Sequence, residues 1–487
     1  MRHYRLTFVT AVLMCGVLYL PAHAQEHGAS MSLVVRLNQA PVNKEVLKLQ
    51  LPRPTETRLS NGLTLLLLEQ HKLPMVSLAL WIKTGALADP KDIPGLAKFT
   101  ADMLHEGTSH RTSAQLAAEV DEIGGTLNAS AAFGSNISTL SASTLVENTS
   151  RLLDLISDVV LNPTFPADEL EKYRQRQLAN LEQQRSQPPF LARERFRQVL
   201  YRDFPASVVS ATSDSLKMAT PELLRKFHDE YYVPNNAILG MVGDFKTTDM
   251  IADIKKYLGE WKSSSVPPLN LGPLPSPAPS KIYLVNRPDS VQTNIVAGDY
   301  AVRRADPEYI PLQVANQVLG GGPQARLFLN LRENKGYTYG AYSSISAGIY
   351  PGPWAAQTEV KTNVTDGSMH ELLAEFQRLR DEKVPDAELD DARRSIVAGF
   401  ALELESPLTL INDWLTVNYY ALPQDYWDRY PEQIAAVNAD AVQTAARKYL
   451  ERDHVQIVCV GDGKLIKDVL KKYGPVEVYD TDGKRLE

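Results

Sequence analysis

The chain has 487 residues, which is too long for one hydrophobic core and indicates about two to four structural units. Hydrophobic residues make up 44% and charged residues 22% of the sequence, a balance typical of a globular protein and not of a disordered one. The formal net charge of −7 is mild. No basic block occurs along the chain, so we assign no nucleic-acid-binding role.

The N-terminus has the pattern of a signal peptide. A basic start precedes an apolar run over residues 6–20, and the triplet Ala-His-Ala at 22–24 resembles a cleavage site. We therefore predict a signal peptide over 1–24, export and a periplasmic location. Cys15 raises the alternative of a lipoprotein, but Met14 stands where lipid attachment requires a small residue. No later stretch is long and apolar enough to cross a membrane, so we expect no integral membrane segment.

Residues 25–50 read as an extended arm before a first structural half, predicted over 51–261. Asn61-Gly62 between apolar flanks is a hairpin signal. Apolar periodicity, cap residues and Gly or Pro breaks then define the remaining elements. The predicted strands are a hairpin over 57–68, then 75–83, 126–132, 136–143 and 237–243. The predicted helices are 93–104, 113–123, 145–161, 166–185, 190–201, 220–231 and 247–261.

A second half, predicted over 281–487, repeats this order after a linker. Residues 262–280, KSSSVPPLNLGPLPSPAPS, are rich in Ser and Pro and predict an extended, semi-rigid connection. Both halves contain a late buried strand that ends in Val-Gly-Asp, at 242–244 and 460–462. The repeated order indicates an internal duplication. We predict an α+β fold in which each half is an antiparallel-rich sheet packed with helices. The predicted strands are 282–285, 293–299, 339–345, 354–361 and 454–461, and the predicted helices are 306–319, 327–332, 365–380, 386–404, 407–420, 428–434 and 438–450.

The stretch 94–108, PGLAKFTADMLHEGT, has the frame of an inverted zinc-peptidase motif, H-x-x-E-H, without its chemistry. Lys98 and Asp102 stand where the two histidines would be, and Ala101 stands at the glutamate that acts as general base. A lysine ammonium has no lone pair for a metal, and an alanine cannot accept a proton. One remaining carboxylate does not make a zinc site, which needs three protein ligands. We therefore expect no metal and no cofactor on this chain.

The order and spacing of several short motifs resemble the pitrilysin/insulinase family of zinc peptidases, in its mitochondrial-processing-peptidase-like branch. These motifs are Gly-Leu-Ala at 95–97, GGTLNAS at 124–130, Phe-Pro at 165–166 and RLFLNLRENKGYTYG at 326–340. The resemblance extends over nearly all of the mature chain. It implies that each chain is a clamshell of two halves, and that two such clamshells would enclose a chamber for peptides. It also implies a third zinc ligand on the long helix after 165–166, where this chain has Ala-Asn and Asn180 replaces the carboxylate.

The resemblance further implies which side chains handle the substrate. Members of the family use an arginine and a tyrosine of the second half to hold the substrate and the tetrahedral intermediate, and the matching residues are Arg332 and Tyr339. Fixed donors aimed at a developing oxyanion are worth about 3–4 kcal/mol each, and both side chains donate at neutral pH. Family peptidases also pair an extended substrate with the edge of the first-half hairpin. The matching edge residues are Leu127, Asn128, Ala129 and Ser130.

Each of these assignments has a structural alternative. An arginine after a Leu-rich helix and a tyrosine in a strand are common structural residues, and Tyr337 competes with Tyr339. A polar edge strand can simply prevent aggregation. His105, Glu106 and His110 could form a shifted metal site, but two imidazoles five residues apart do not share a helix face.

The leading interpretation is a peptidase homologue that supplies the Arg/Tyr pair to a heteromeric zinc metallopeptidase. Its partner would be a zinc-bearing paralogue, its substrate an unfolded peptide, and the chain alone would not be catalytic. The alternative is a non-catalytic subunit that binds peptide or serves assembly. A third possibility, an active enzyme with other chemistry, lacks any nucleophile–base arrangement in the sequence.

Overall fold

The computed structural model describes residues 45–486, so the predicted signal peptide and most of the predicted arm lie outside the described residues. Contacts unite the chain from Val46 onward in a single unit. Within the described residues, no helix is both long enough and apolar enough to cross a bilayer.

The strands of the first half form one mixed sheet, which we call sheet 1. These strands are β1 (Thr55–Arg58), β2 (Thr64–Glu69), β3 (Met75–Ile82), β4 (Thr126–Ala131), β5 (Ser138–Leu145) and β6 (Ala237–Gly243). Their order across the sheet is β1-β2-β6-β3-β5-β4. Only β2 and β6 run parallel, and the other neighbours are antiparallel. The predicted hairpin is confirmed, because Gly62 has a φ of +94° and the Leu59 N–H donates to Leu63 across the turn.

The strands of the second half form a sheet with the same plan, which we call sheet 2. They are β7 (Lys281–Asn286), β8 (Gln292–Tyr300), β9 (Thr338–Ile345), β10 (Pro353–Lys361), β11 (Gln456–Gly461) and β12 (Val476–Tyr479). Their order is β12-β7-β11-β8-β10-β9. Five strands of this sheet therefore occupy the positions of β2, β6, β3, β5 and β4 in sheet 1, namely β7, β11, β8, β10 and β9. Only the outermost strand differs. This correspondence confirms the predicted α+β fold with two homologous halves.

Most helices of each half pack on one face of that half's own sheet. The segment 262–280 between the halves contains neither helix nor strand. The first half contributes α1 (Leu96–Met103), α2 (Ser113–Glu122), α3 (Thr149–Leu161), α4 (Ala167–Arg185), α5 (Pro188–Tyr201), α6 (Ser213–Met218), α7 (Pro221–Tyr231) and α8 (Thr247–Leu258). The second half contributes α9 (Tyr309–Gly320), α10 (Arg326–Phe328), α11 (Thr365–Asp381), α12 (Asp386–Glu403), α13 (Pro407–Tyr419), α14 (Tyr426–Ala436), α15 (Ala439–Tyr449) and α16 (Gly463–Leu470).

Each half also places one helix on the sheet of the other half. Helix α13 of the second half packs on sheet 1, where Ile411 shares a hydrophobic cluster with Ile238 and Val242. Helix α5 of the first half packs on sheet 2, where Phe196 shares a cluster with Val460. The two halves thus bury apolar surface in common, which the sequence did not indicate.

Some local features differ from the sequence expectations. Helix α1 begins at Leu96 instead of residue 93, and the predicted helix over 327–332 is a single α-turn that continues as a π-helix over Leu329–Asn334. Helix α6 and strand β12 were not predicted, since both are short.

Candidate functional site

The start of α1, which carries the degenerate motif, is held by a partly buried carboxylate. Asp89 accepts hydrogen bonds from the backbone N–H of Gly95 at 2.7 Å and of Ala97 at 2.8 Å. These bonds satisfy two of the donors that a helix N-terminus leaves free. Burial raises the pKa of Asp89 to about 7, although the two hydrogen bonds favour its charged form. Gly95 has a φ of +103°, so the chain turns sharply into the helix at this glycine.

Lys98 and Asp102 lie one turn apart on α1 and form an ion pair. The Lys98 Nζ donates to Asp102 Oδ2 at 2.8 Å and to Oδ1 at 3.1 Å. Tyr173 of α4 donates its hydroxyl to the same Oδ2 at 2.8 Å. Burial, together with the negative charge of Asp102, raises the pKa of Tyr173 far above its usual value, so its hydroxyl remains a donor. These three side chains make a closed hydrogen-bonded set, which we call the motif cluster.

The motif cluster does not fit a zinc ion. Lys98 offers no lone pair, and both oxygens of Asp102 already accept hydrogen bonds. Ala101, at the general-base position, carries only a methyl group, which cannot take a proton, and it is fully buried. Across residues 45–486, no group of three or more His, Cys, Asp or Glu is arranged to hold a metal ion. The residues present therefore lack the ligand set that a zinc peptidase requires.

The position implied for a third ligand is not part of the motif cluster. Asn180 is exposed, whereas Leu170 and Tyr173 of the same helix are buried. The α4 residue that meets Asp102 is Tyr173, two turns before Asn180. The correspondence of Asn180 with a family ligand remains a prediction. Sequence reasoning missed Tyr173, although its spacing from Leu170 places it on the apolar face of the helix.

The three residues considered for a shifted metal site do not converge. Glu106 accepts a hydrogen bond from Ser113 Oγ at 2.8 Å. His110 Nδ1 lies 2.6 Å from Asp158 Oδ1. The Nδ1 atom of His105 is buried and has no hydrogen-bond partner among the described residues. Each side chain thus has separate surroundings.

The predicted substrate-binding residues lie on the edge strand of sheet 1. Strand β4 pairs with β5 on one side only, so alternate backbone groups on its other side are free to pair. Leu127 and Ala129 pack against the first-half core. Asn128 and Ser130 are exposed on the opposite face of the sheet. The edge position is confirmed, and a role in binding substrate stays a prediction.

Arg332 lies in the π-helix that follows α10. Its guanidinium stands 4.7 Å from the ring centroid of Phe328 and pairs with Glu333 at 3.2 Å. The ring of Phe328 in turn contacts that of Tyr342 of β9, with centroids 5.5 Å apart. The Arg332 side chain is 46% exposed. A π-helical turn is uncommon and is often found at functional sites, and here it presents a charged side chain to the surface.

Tyr339 lies on β9, the edge strand of sheet 2, and is 91% exposed. Its side chain makes no hydrogen bond or ring contact with the described residues, Arg332 included. Tyr337, the competing tyrosine, packs against the second-half core. A groove of about 1150 Å³ runs beside Tyr339 and is also lined by Gln292 and Glu359. Both tyrosines line this groove, and Tyr339 is the more exposed of the two, since Tyr337 is partly buried.

A second cavity, of about 480 Å³, lies between the halves, and we call it the interhalf cavity. Lys98 and Ser130 line it from the first half, and Gln357 of β10 lines it from the second. Gln357 and Glu359 are two residues apart, so the interhalf cavity and the groove beside Tyr339 share one face of sheet 2. The structure thus brings Lys98 and Ser130 into one cavity and places Tyr339 in another.

Family models match both halves of the chain. Residues 64–209 match the model of insulinase (peptidase family M16), and residues 219–396 match that of the peptidase M16 inactive domain. An uncharacterized zinc protease of Bacillus subtilis, YmxG, is 24% identical over 419 residues, which are 83% of this chain and 98% of the relative. An uncharacterized zinc protease of Mycobacterium leprae is 26% identical over 381 residues, 74% of this chain and 80% of the relative.

Solved structures have the same fold. The crystal structure of a peptidase M16 inactive domain from Pseudomonas fluorescens is 27% identical, with a TM-score of 0.77 over 84% of this chain and 97% of that one. A protease from Helicobacter pylori is 19% identical, with a TM-score of 0.78 over 84% of this chain and 100% of that one. The resemblance inferred from the sequence is thereby confirmed. The chain belongs to the insulinase family, peptidase family M16, and its second part matches the inactive domain of that family.

Proposed function

We propose that this chain is the subunit without zinc of a two-chain zinc metallopeptidase that cleaves peptides in a closed chamber. The observation that carries the proposal is the motif cluster. In it Lys98 and Asp102, which stand at two metal-ligand positions, pair with each other, and Asp102 also accepts a hydrogen bond from the Tyr173 hydroxyl. A chain with this cluster has no means of activating water for attack on an amide. Its zinc-bearing partner, a paralogue of the same family, would supply both the metal and the general base.

The contribution of this chain is the Arg332–Tyr339 pair. Both side chains are exposed, and both come from the stretch after α9 that resembles the substrate-holding segment of family peptidases. Attack on a peptide carbonyl places negative charge on its oxygen. The Arg332 guanidinium and the Tyr339 hydroxyl are donors that can stabilise this charge without losing a proton. The edge of β4 would align an extended peptide by backbone pairing.

The test measures peptide cleavage by an equimolar mixture of this chain and the zinc-bearing paralogue. We expect no turnover from this chain alone and restored turnover in the mixture. Arg332→Ala and Tyr339→Phe should each lower kcat of the mixture about 100-fold, as the loss of one oxyanion donor does in other enzymes. Tyr337→Phe is the matched control and should leave the rate unchanged. Wild-type rates for both the Arg332 and Tyr339 variants would refute the catalytic role.

A second candidate function is that of a non-catalytic subunit for peptide binding or assembly. The observation in its favour is that Tyr339 lines a different cavity from Lys98 and Ser130, and that Arg332 already pairs with Glu333. Under this reading the chain binds peptide or the paralogue, and turnover of the mixture does not respond to either substitution.

The location of the protein follows from residues 1–24, which lie outside the described residues. We propose that this segment directs export and is removed, so that the mature chain begins at Gln25 in the periplasm. N-terminal sequencing of the protein from a periplasmic fraction checks this, and an intact Met1 there would contradict it.

A further inference from the structure

The interhalf cavity has an unusual balance of charge. Of the described residues that line it, Lys98, Arg193 and Arg197 are cationic, and none is a carboxylate. Lys98 is neutralised by Asp102. Arg193 and Arg197 have no ion pair with any carboxylate of the described residues. The cavity therefore has an excess of about two positive charges, in a chain whose net charge is −7.

The two arginines come from one face of α5, the helix that crosses to the sheet of the second half. Arg193, Phe196 and Arg197 follow the i, i+3, i+4 spacing, so all three point into the cavity. Arg197 is held in place by two contacts. Its Nε donates to the Ala206 carbonyl at 3.1 Å, and its guanidinium carbon lies 4.8 Å from the ring centroid of Tyr201. Arg193 is exposed, and its guanidinium carbon lies 5.7 Å from the ring centroid of Phe190.

A neighbouring cavity extends the same charge. It measures about 210 Å³, shares Phe133 and Arg197 with the interhalf cavity, and also has no carboxylate among the described residues that line it. Its wall contains the hydroxyl-bearing rings of Tyr350 and Tyr419. The Tyr350 hydroxyl donates to the Gly134 carbonyl at 2.8 Å and accepts from Arg197 Nη2 at 3.3 Å, so it helps to hold the arginine in place. A guanidinium suits a carboxylate, which it binds through two parallel hydrogen bonds.

The edge strand β4 points to a peptide as the occupant. Ser130 and Ala131 of β4 line the interhalf cavity, so an extended chain paired with this edge would direct alternate side chains towards Arg193 and Arg197. We propose that the interhalf cavity binds acidic peptide segments, with a carboxylate seated on Arg193 and Arg197. The carboxylate can belong to an Asp or Glu side chain or to a free C-terminus. The proposal rests on the proposed function only in taking a peptide as the ligand.

The experiment titrates the mature protein, without any partner, into fluorescently labelled extended peptides and follows their anisotropy. One peptide carries Glu at alternate positions, a second carries Gln instead and a third Lys, each with a free or an amidated C-terminus. We expect the Glu peptide to bind about tenfold more tightly than the Gln peptide, the discrimination of one charge-assisted hydrogen bond. High salt should reduce this preference, because it screens the charges. Amidation distinguishes a C-terminal carboxylate from a side chain.

Arg193→Glu should abolish or reverse the preference for the acidic peptide. Arg452→Glu is the matched control, since it makes the same change of charge at an exposed residue that lines none of these cavities. Equal affinity for the Glu and Gln peptides, no binding, or the same response to both substitutions would overturn the proposal. Turnover of the two-chain mixture is measured separately with Arg332→Ala, so the catalytic proposal stands or falls independently of peptide charge.

Discussion

At the scale of single residues, the motif cluster explains how the peptidase fold can keep α1 and α4 connected without a metal ion. A zinc ion would link side chains of two helices through its charge. In this chain the positive charge belongs to the Lys98 side chain itself, and Asp102 neutralises it in an ion pair. Tyr173 connects α4 to α1 because its hydroxyl donates to Asp102. The link between the helices is thus retained by hydrogen bonds, while the capacity to polarise a carbonyl is lost.

Tyr173→Phe tests this account of the link between α1 and α4. Removing the hydroxyl takes one donor from the partly buried Asp102 carboxylate, so we expect the free energy of unfolding to fall by about 1 kcal/mol. Asn180→Ala is the control on the same helix. Because Asn180 is exposed, its replacement should change stability by less than about 0.5 kcal/mol. Urea denaturation of both variants measures the difference, and a larger loss for Asn180→Ala would place Asn180 at the motif.

At the scale of secondary structure, local patterns predicted most elements, and tertiary contacts account for the exceptions. The Asn61-Gly62 turn and the wholly apolar β6 carry their own signals. Strand β12 has four residues and forms only because β7 offers an edge for parallel pairing. The π-helix around Arg332 cannot be read from its sequence, since it depends on backbone bonds such as that from Lys335 N–H to the Asn330 carbonyl.

The site was predictable to a similar extent. The frame of the inverted zinc-peptidase motif identified Lys98, Ala101 and Asp102 as a motif without ligands, and the family resemblance indicated residues 127–130 as the edge of the first-half hairpin. Tyr173 and Arg193 were missed, because a hydrogen bond between helices and the lining of a cavity are properties of the packed chain. Charge along α5 was visible in the sequence, but its direction depends on which sheet the helix covers.

At the scale of the whole molecule, the exchange of helices between the halves defines the cavities. Helix α13 reaches sheet 1, where Tyr419 accepts a hydrogen bond from Asn136 at 3.2 Å and meets Trp81 edge to face. Helix α5 reaches sheet 2, where the Tyr201 hydroxyl donates to the Pro351 carbonyl at 2.9 Å. Helix α5 lines the interhalf cavity, and Tyr419 of α13 lines the neighbouring cavity of about 210 Å³.

Gly240→Ala tests whether this exchange stabilises the molecule. Gly240 lies in β6 beneath α13, and a Cβ there would stand 2.7 Å from Ile411 Cγ1 and 3.0 Å from Leu415 Cδ1. The added methyl must therefore push α13 away from sheet 1, and we expect the free energy of unfolding to fall by about 1–3 kcal/mol. Gly399→Ala in α12 makes the same change with no atom within 4 Å, so it should be neutral or stabilise the chain by up to about 1 kcal/mol. Thermal and urea unfolding of both variants measure these effects. Equal stability of the two variants would contradict the close contact between α13 and sheet 1.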